Sequence, residues 1–294
     1  MSRRRGLALV ALTASLLVAG CSGGGARSAD APRPATVASE SATRSAGYDS
    51  KTARIVFLHH STGQAIWAGS GSGDGDLPRG IADYNRANNT SLTIEEVPFP
   101  SGPEYEWANY PFDYYNIWVA NAGPGPYRGQ PTLEMLTKQY DVIIWKHCYP
   151  VSGIQPDTGN ADVGSADKRL ENYKLQYAAL RDKMRSFPDT RFLVWTGAAL
   201  TRGSTSPEEA QRARQFVDWV RSEWDEPGDK IFLWDFYQLE TEGGAYLPDS
   251  NAASPTDSHP NPTFAARVAP LLVTRIVVVV EGRGDATGLT GVTH

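Results

Sequence analysis

Five short apolar runs, at residues 55–58, 92–97, 142–145, 192–195 and 231–234, constrain this chain more than any other feature. Each is flanked by polar or turn residues, and its apolarity is continuous rather than alternating. That pattern predicts strands covered on both faces, as in a parallel sheet. Two intervening segments carry helix signatures. In the first, Leu170, Tyr173, Tyr177, Leu180, Met184 and Phe187 fall on one helical stripe, and Pro188 follows as a stop. The second opens with Ser206, Pro207, Glu208 and Glu209, a capping box with proline at the first helical position. Its stripe continues through Ala210, Ala213, Phe216, Val220 and Trp224. A third helix is expected from Pro262 to about Val279, although its valines also suit a strand. Strand–helix alternation predicts an α/β three-layer sandwich around a mostly parallel five-stranded sheet. In such sheets ligands collect at the carboxyl ends of the strands. No internal repeat is visible, so residues 51–283 read as one domain and 284–294 as a disordered tail.

The first residues address the question of location. Arg3, Arg4 and Arg5 precede an apolar run over 6–20 and then Cys21, which predicts a secretory signal peptide over 1–20. The stretch Leu17, Val18, Ala19, Gly20, Cys21 resembles the lipobox of bacterial lipoproteins, in which the cysteine is acylated and becomes the new N-terminus. The alternative is an ordinary signal peptide whose cysteine is incidental. Residues 22–50, rich in Ser, Ala, Gly, Pro and Arg, read with Cys21 as a flexible tether. Beyond the leader no stretch is expected to span a membrane, the valine run at 276–280 being too short. Without residues 1–20 the chain holds 25 basic and 33 acidic residues, a formal charge of -8. Nucleic acid and anionic membrane surfaces, which select basic proteins, are therefore not expected as partners. With Cys21 lipidated, Cys148 is the only other cysteine and an intrachain disulfide is impossible.

Candidate chemistry follows the strands. The first run leads directly into His59, His60, Ser61, Thr62 and Gly63. A serine between a strand and a helix N-terminus exposes its hydroxyl where partial positive charge can stabilise an oxyanion; Ser61 can equally be a simple N-cap. Before the last helix lie Asp257, Ser258 and His259. A histidine backed by an acid is what a serine needs to act as a nucleophile at neutral pH; Asp257 or Ser258 can equally cap the helix.

Taken together, the serine after the first strand, the polar turn Lys146-His147-Cys148 after the middle strand, and the late Asp-Ser-His-Pro-Asn resemble the SGNH or GDSL hydrolase superfamily. The closest match is the branch whose first block reads His-His-Ser, and the resemblance spans residues 54–281 in element order. It implies an SGNH-hydrolase-like, flavodoxin-like domain with ester hydrolase activity and no cofactor. It also implies Ser61 as nucleophile, His259 as base and Gly102 as an oxyanion donor. The family acid stands three residues before the histidine, where this chain has Thr256, so the role would pass to Asp257. The family asparagine has no clear equivalent, because His147 or Cys148 stands in its place; a histidine can donate to the oxyanion as the amide would, whereas a thiol does so weakly. His60 occupies the position of the motif aspartate and is expected to orient the loop or bond a carboxylate.

Other features keep two readings. The segment 105–127 carries Tyr105, Trp107, Tyr110, Phe112, Tyr114, Tyr115, Trp118 and Tyr127, either a sugar subsite or a packing insertion. Trp67 is a pocket wall or core. His59, His60 and His147 with an acid offer the residue types of a metal site, but no pair has the helical spacing of a zinc-protease motif, and no metal is expected. Cys148 beside His147 reads as a small, partly buried residue rather than a nucleophile. The expected function is a monomeric, lipid-anchored, extracytoplasmic serine esterase acting on an ester, with a carbohydrate or envelope glycan as its parent. The rival is a non-catalytic lipoprotein of the same fold that binds a glycan or protein.

Overall fold

The parallel sheet expected from the apolar runs is present in the computed structural model, which describes residues 47–71 and 73–293. The leader, Cys21 and most of the tether lie outside the described residues. The sheet strands are β1 (Arg54–His59), β2 (Thr93–Pro98), β3 (Val142–Trp145), β4 (Arg191–Trp195) and β5 (Ile231–Trp234). All adjacent pairs are parallel, in the order β2-β1-β3-β4-β5. That is the flavodoxin-like order, whose switch point lies between β1 and β3. A small antiparallel hairpin, β6 (Ala252–Ser254) with β7 (Asp257–Pro260), stands apart from it.

The helices are α1 (Ser61–Ala68), α2 (Asp76–Asn88), α3 (Pro111–Tyr115), α4 (Leu133–Gln139), α5 (Leu170–Arg185), α6 (Pro207–Trp219), α7 (Phe236–Thr241) and α8 (Pro262–Val280). Successive strand residues point to opposite faces, which divides the core in two. Val56, Leu58, Ile143 and Trp145 meet Tyr114, Leu136, Tyr177 and Phe216 from α3 to α6. Ile55, Phe57, Val142 and Ile144 meet Ile66, Leu77, Ile81, Phe264 and Leu272 from α1, α2 and α8. The strand runs are continuous in apolarity because both faces are covered. β2 is the exception: an edge strand, it is largely uncovered and carries Glu95 and Glu96, which discourage pairing with another chain.

The valine run resolves as helix. By length and composition α8 passes for a membrane-crossing helix, against the sequence expectation, but its apolar side is spent on the sheet. Arg275, wholly buried within it, donates to Leu233 O (2.7 Å), Gly284 O (2.7 Å) and Thr287 Oγ1 (2.8 Å). The last two bonds overturn the expectation of a disordered tail over 284–294. Residues 284–293 fold back on the domain, with Leu289 O accepting from Asp235 N and Thr290 O from Trp234 Nε1. This anchoring uses main-chain carbonyls, which leave no apolar pattern in a sequence.

Candidate active site

At the β1–β3 switch point the chain leaves β1 through His60, which is the N-cap of α1 in extended conformation. Ser61 is thus the first helical residue rather than the cap, and its side chain is exposed. Its hydroxyl is free of a capping bond and lies 3.8 Å from Cys148 Sγ. Gly63 is what allows this turn. A Cβ at Gly63 would lie 2.4 Å from the His59 Cβ, so only glycine lets α1 start so close to the strand end.

The two histidines before Ser61 hold the surroundings. His59 is buried, its Nε2 3.0 Å from Glu96 Oε2 on β2 and its Nδ1 3.2 Å from His60 O. The carboxylate partner considered for His60 therefore belongs to His59. His60 Nε2 instead donates to Pro100 O at 2.5 Å, and its ring stacks on Trp107, with centroids 4.0 Å apart and 11° between planes. Burial pushes both imidazoles below their ordinary value, which keeps them neutral. The loop gripped by His60 carries Gly102, exposed and in the left-handed region at φ 81°. Gln130 pins that loop by accepting from Ser101 N (2.8 Å) and donating to Ser101 O (2.5 Å).

His259 and Asp257 lie on β7, which packs against α1. Their spacing explains the displaced acid: residues two apart on a strand share a side, whereas Thr256 at three apart does not. Asp257 Oδ1 is 2.6 Å from His259 Nδ1 and also accepts the His259 backbone N–H at 3.1 Å. These bonds, the backbone one foremost, hold the Asp257 carboxyl below the usual range. Neither Asp257 nor Ser258 caps α8; Asn261 does, accepting from Phe264 N at 2.9 Å. Ser258 Oγ is taken up by Thr201 N. Among the described residues no hydrogen bond joins His259 to Ser61. Tyr149 presents its ring edge-on to His259 at 5.0 Å. Beside them opens a cleft of about 530 Å³, bounded by Tyr149, Lys168, Leu200, Ser204 and His259.

Two expected site residues lie elsewhere. Past β3, Lys146 and Cys148 turn toward Ser61 while His147 turns the other way, into rings of Tyr114, Trp145 and Tyr177. His147 is buried in aromatic surroundings, so it is no oxyanion donor. Trp67 is likewise core, grouped with Ile66, Leu77 and Ile81, and not a pocket wall. Among the described residues no three His, Cys, Asp or Glu side chains converge as a metal site, because His147 faces away from His59 and His60.

The buried His147 has a measurable consequence. Burial first, then Lys146, push its imidazole well below the ordinary value, and among the described residues neither ring nitrogen has a hydrogen-bond partner. Protonation therefore favours the unfolded chain. Stability is full above the unfolded value near pH 6.5 and falls at up to about 1.4 kcal/mol per pH unit below it. His59 and His60 act in the same direction. His147→Phe is expected to flatten the loss seen in urea unfolding between about pH 7 and 5; an unchanged slope would contradict this account.

Three solved structures are distantly similar to this chain. A gut microbial diltiazem-metabolizing enzyme is 11% identical, with 82% of this chain and 49% of that chain covered and a TM-score of 0.42. A protein from Parabacteroides merdae described as a GDSL-like lipase is 13% identical, with 76% and 95% covered and a TM-score of 0.41. A carbohydrate acetylesterase from Xanthomonas citri is 13% identical, with 78% and 57% covered and a TM-score of 0.39. The chain spans about half the length of the first and third of these. No family model and no curated protein matches it.

Several site residues escaped the sequence reading. In the sequence Lys146 is part of the polar turn after the middle strand, with no role of its own. Asn109, buried and at φ 56°, accepts Cys148 N–H at 2.6 Å and donates to Phe99 O at 2.9 Å, tying the β2 and β3 exits together. A lone asparagine in an aromatic segment gives no signal for that. In the same segment Tyr105, Tyr110, Tyr114 and Trp118 are buried, whereas Trp107 is 39% exposed. The burial of those rings fits the insertion reading, while Trp107, stacked on His60, is left exposed.

Proposed function

We propose that this protein is an SGNH-type serine ester hydrolase. The observation that carries the reading is the Asp257–His259 bond of 2.6 Å, on a hairpin packed against the helix that begins at Ser61. Ser61 Oγ attacks the acyl carbon. His259 takes the hydroxyl proton on Nε2, while Asp257 fixes the Nδ1–H tautomer and stabilises the cation. The proton then passes to the leaving alkoxide, and water repeats the sequence to release the acid. The backbone N–H of Ser61, at the start of α1, faces the developing oxyanion, with Gly102 on the neighbouring loop as the second donor. Closure of His259 onto Ser61 belongs to the substrate complex, since catalytic hydrogen bonds are commonly long in the free enzyme. Fluorophosphonate labelling tests the reading: folded protein that takes no label at Ser61 would sink it.

The parent molecule in this reading is a carbohydrate. Trp107, exposed and stacked on the residue next to Ser61, offers a face of the size of a sugar ring. Trp107→Ala is expected to raise KM for acetylated oligosaccharides about five- to thirtyfold, as for the loss of an aromatic anchor. Its turnover of a small aryl acetate should not change, and equal effects on both substrates would remove the sugar platform. The reading also places the enzyme outside the cytoplasm, held by a lipid on Cys21. Metabolic labelling with an alkynyl fatty acid, lost in Cys21→Ser, is the expected result; label retained in that variant would refute it.

A further inference from the structure

Behind Ser61 lies a second nucleophile that the proposed hydrolysis does not use. Lys146 and Cys148, two residues apart, leave β3 on one side, and Lys146 Nζ donates to Cys148 Sγ at 3.0 Å. Lys146 is wholly buried, against the Trp195 ring at 5.9 Å. A buried ammonium needs an anion, since an uncompensated charge in the interior is strongly destabilising. The ionisable groups facing it are few. Glu240 is fully buried, which pushes its carboxyl well above the usual range, and its Oε1 accepts from Ala199 N at 2.6 Å. His59, His60 and His147 are imidazoles pushed below their ordinary value by burial and carry no negative charge in any state here. Cys148 remains. Its sulfur accepts from Lys146 on one side and from the Thr62 backbone N–H on the other, at the start of α1. Burial opposes ionisation of the thiol, but the Lys146 charge and these bonds outweigh it and hold the thiol below its ordinary value.

We propose that Cys148 is a thiolate modification site, kept ionised by Lys146, where a peroxide or other small soft electrophile adds to sulfur and thereby disables Ser61. The last clause rests on the hydrolase reading above; the thiolate does not. With hydrogen peroxide, a sulfur lone pair attacks one oxygen, an S–O bond forms and the O–O bond breaks. Hydroxide leaves and is protonated to water; sulfur gives up two electrons and the peroxide gains them, leaving a sulfenic acid. Cys148 is itself buried, and its Sγ already lies 3.8 Å from Ser61 Oγ, so an added group displaces Ser61 from its place, while the loss of negative charge leaves Lys146 uncompensated.

The full chain carrying Cys21→Ser has Cys148 as its sole thiol. Its thiolate ultraviolet absorbance is expected to persist to lower pH than that of the same chain unfolded in urea and to be absent from the additional variant Cys148→Ser. Methyl methanethiosulfonate should modify it at about pH 6 at least tenfold faster than the same chain unfolded in urea, and Lys146→Met should remove that advantage. Fluorophosphonate labelling of Ser61 should fall in proportion to modification and return after dithiothreitol. Thiolate absorbance that appears only above about pH 8, or a rate equal to that of the unfolded chain, would overturn the proposal. Full Ser61 labelling of fully modified protein would overturn its second half. If Lys146→Met does not fold, the absorbance titration of the unaltered pair decides. If unmodified protein takes no label at Ser61, the hydrolase reading fails while the titration still judges the thiolate.

Discussion

Replacing Ser61 by alanine is expected to lower kcat for ester hydrolysis by about 10⁴- to 10⁶-fold, the scale on which loss of a serine nucleophile acts. The fold should not notice. Ser61 is exposed, it is not the cap of α1, and among the described residues its hydroxyl makes only the long approach to Cys148 as a hydrogen bond. Equal urea midpoints for the two proteins would separate a chemical effect from a structural one. His259→Ala should cost a similar factor, and the double variant should be no slower than either, because nucleophile and base act as one unit. Asp257→Ala should cost less, on the order of 10²- to 10⁴-fold, since half of that side chain is already open to water. A Ser61→Ala protein that hydrolyses aryl acetates at the wild-type rate would end the serine mechanism and favour the binding-protein alternative.

Gly63→Ala is expected to be the most damaging single methyl in this region. The added Cβ would lie 2.4 Å from the His59 Cβ and 2.5 Å from its Cγ. His59 cannot swing aside, because it is buried, packed on Phe57 and paired with Glu96. The helix start must move instead, and Ser61 moves with it. Overpacking of this kind costs about 3 kcal/mol, or roughly 6–12 °C in Tm for a domain of this size. The variant should also lose activity beyond what its folded fraction explains. A urea midpoint within error of wild type would show that the β1–α1 junction is looser than the structure describes.

These two sites differ in how they could be read beforehand. Ser61 and the pair Asp257 and His259 announce themselves locally, as polar residues placed where an apolar run ends or a helix begins. The displaced acid became intelligible only when residues 257–260 proved to be a strand, on which side chains two apart share a face. After β3 the same alternation worked against the reading. His147 looked the better hydrogen-bond donor by chemistry, but the phase of the strand exit sends it into the core and brings Lys146 and Cys148 to Ser61. One residue's shift in phase would reverse these roles, and nothing in the local run of residues 142–148 records that phase.

The layered architecture was written in the chain, because burial on both faces demands continuous apolarity and amphipathic helices demand a stripe. Each requirement is met by residues close together along the chain. The site was not written there in the same way. Ser61 and Cys148 stand 87 positions apart, and the loop fastened by Asn109 and the hairpin bearing His259 come from still other parts of the sequence. Whether Trp107 is exposed while its aromatic neighbours are buried, and whether Lys146 finds a thiol or water, depends on where distant segments end up. Charge compensation and desolvation act through space, so only the folded packing could decide which of these side chains share the end of β1.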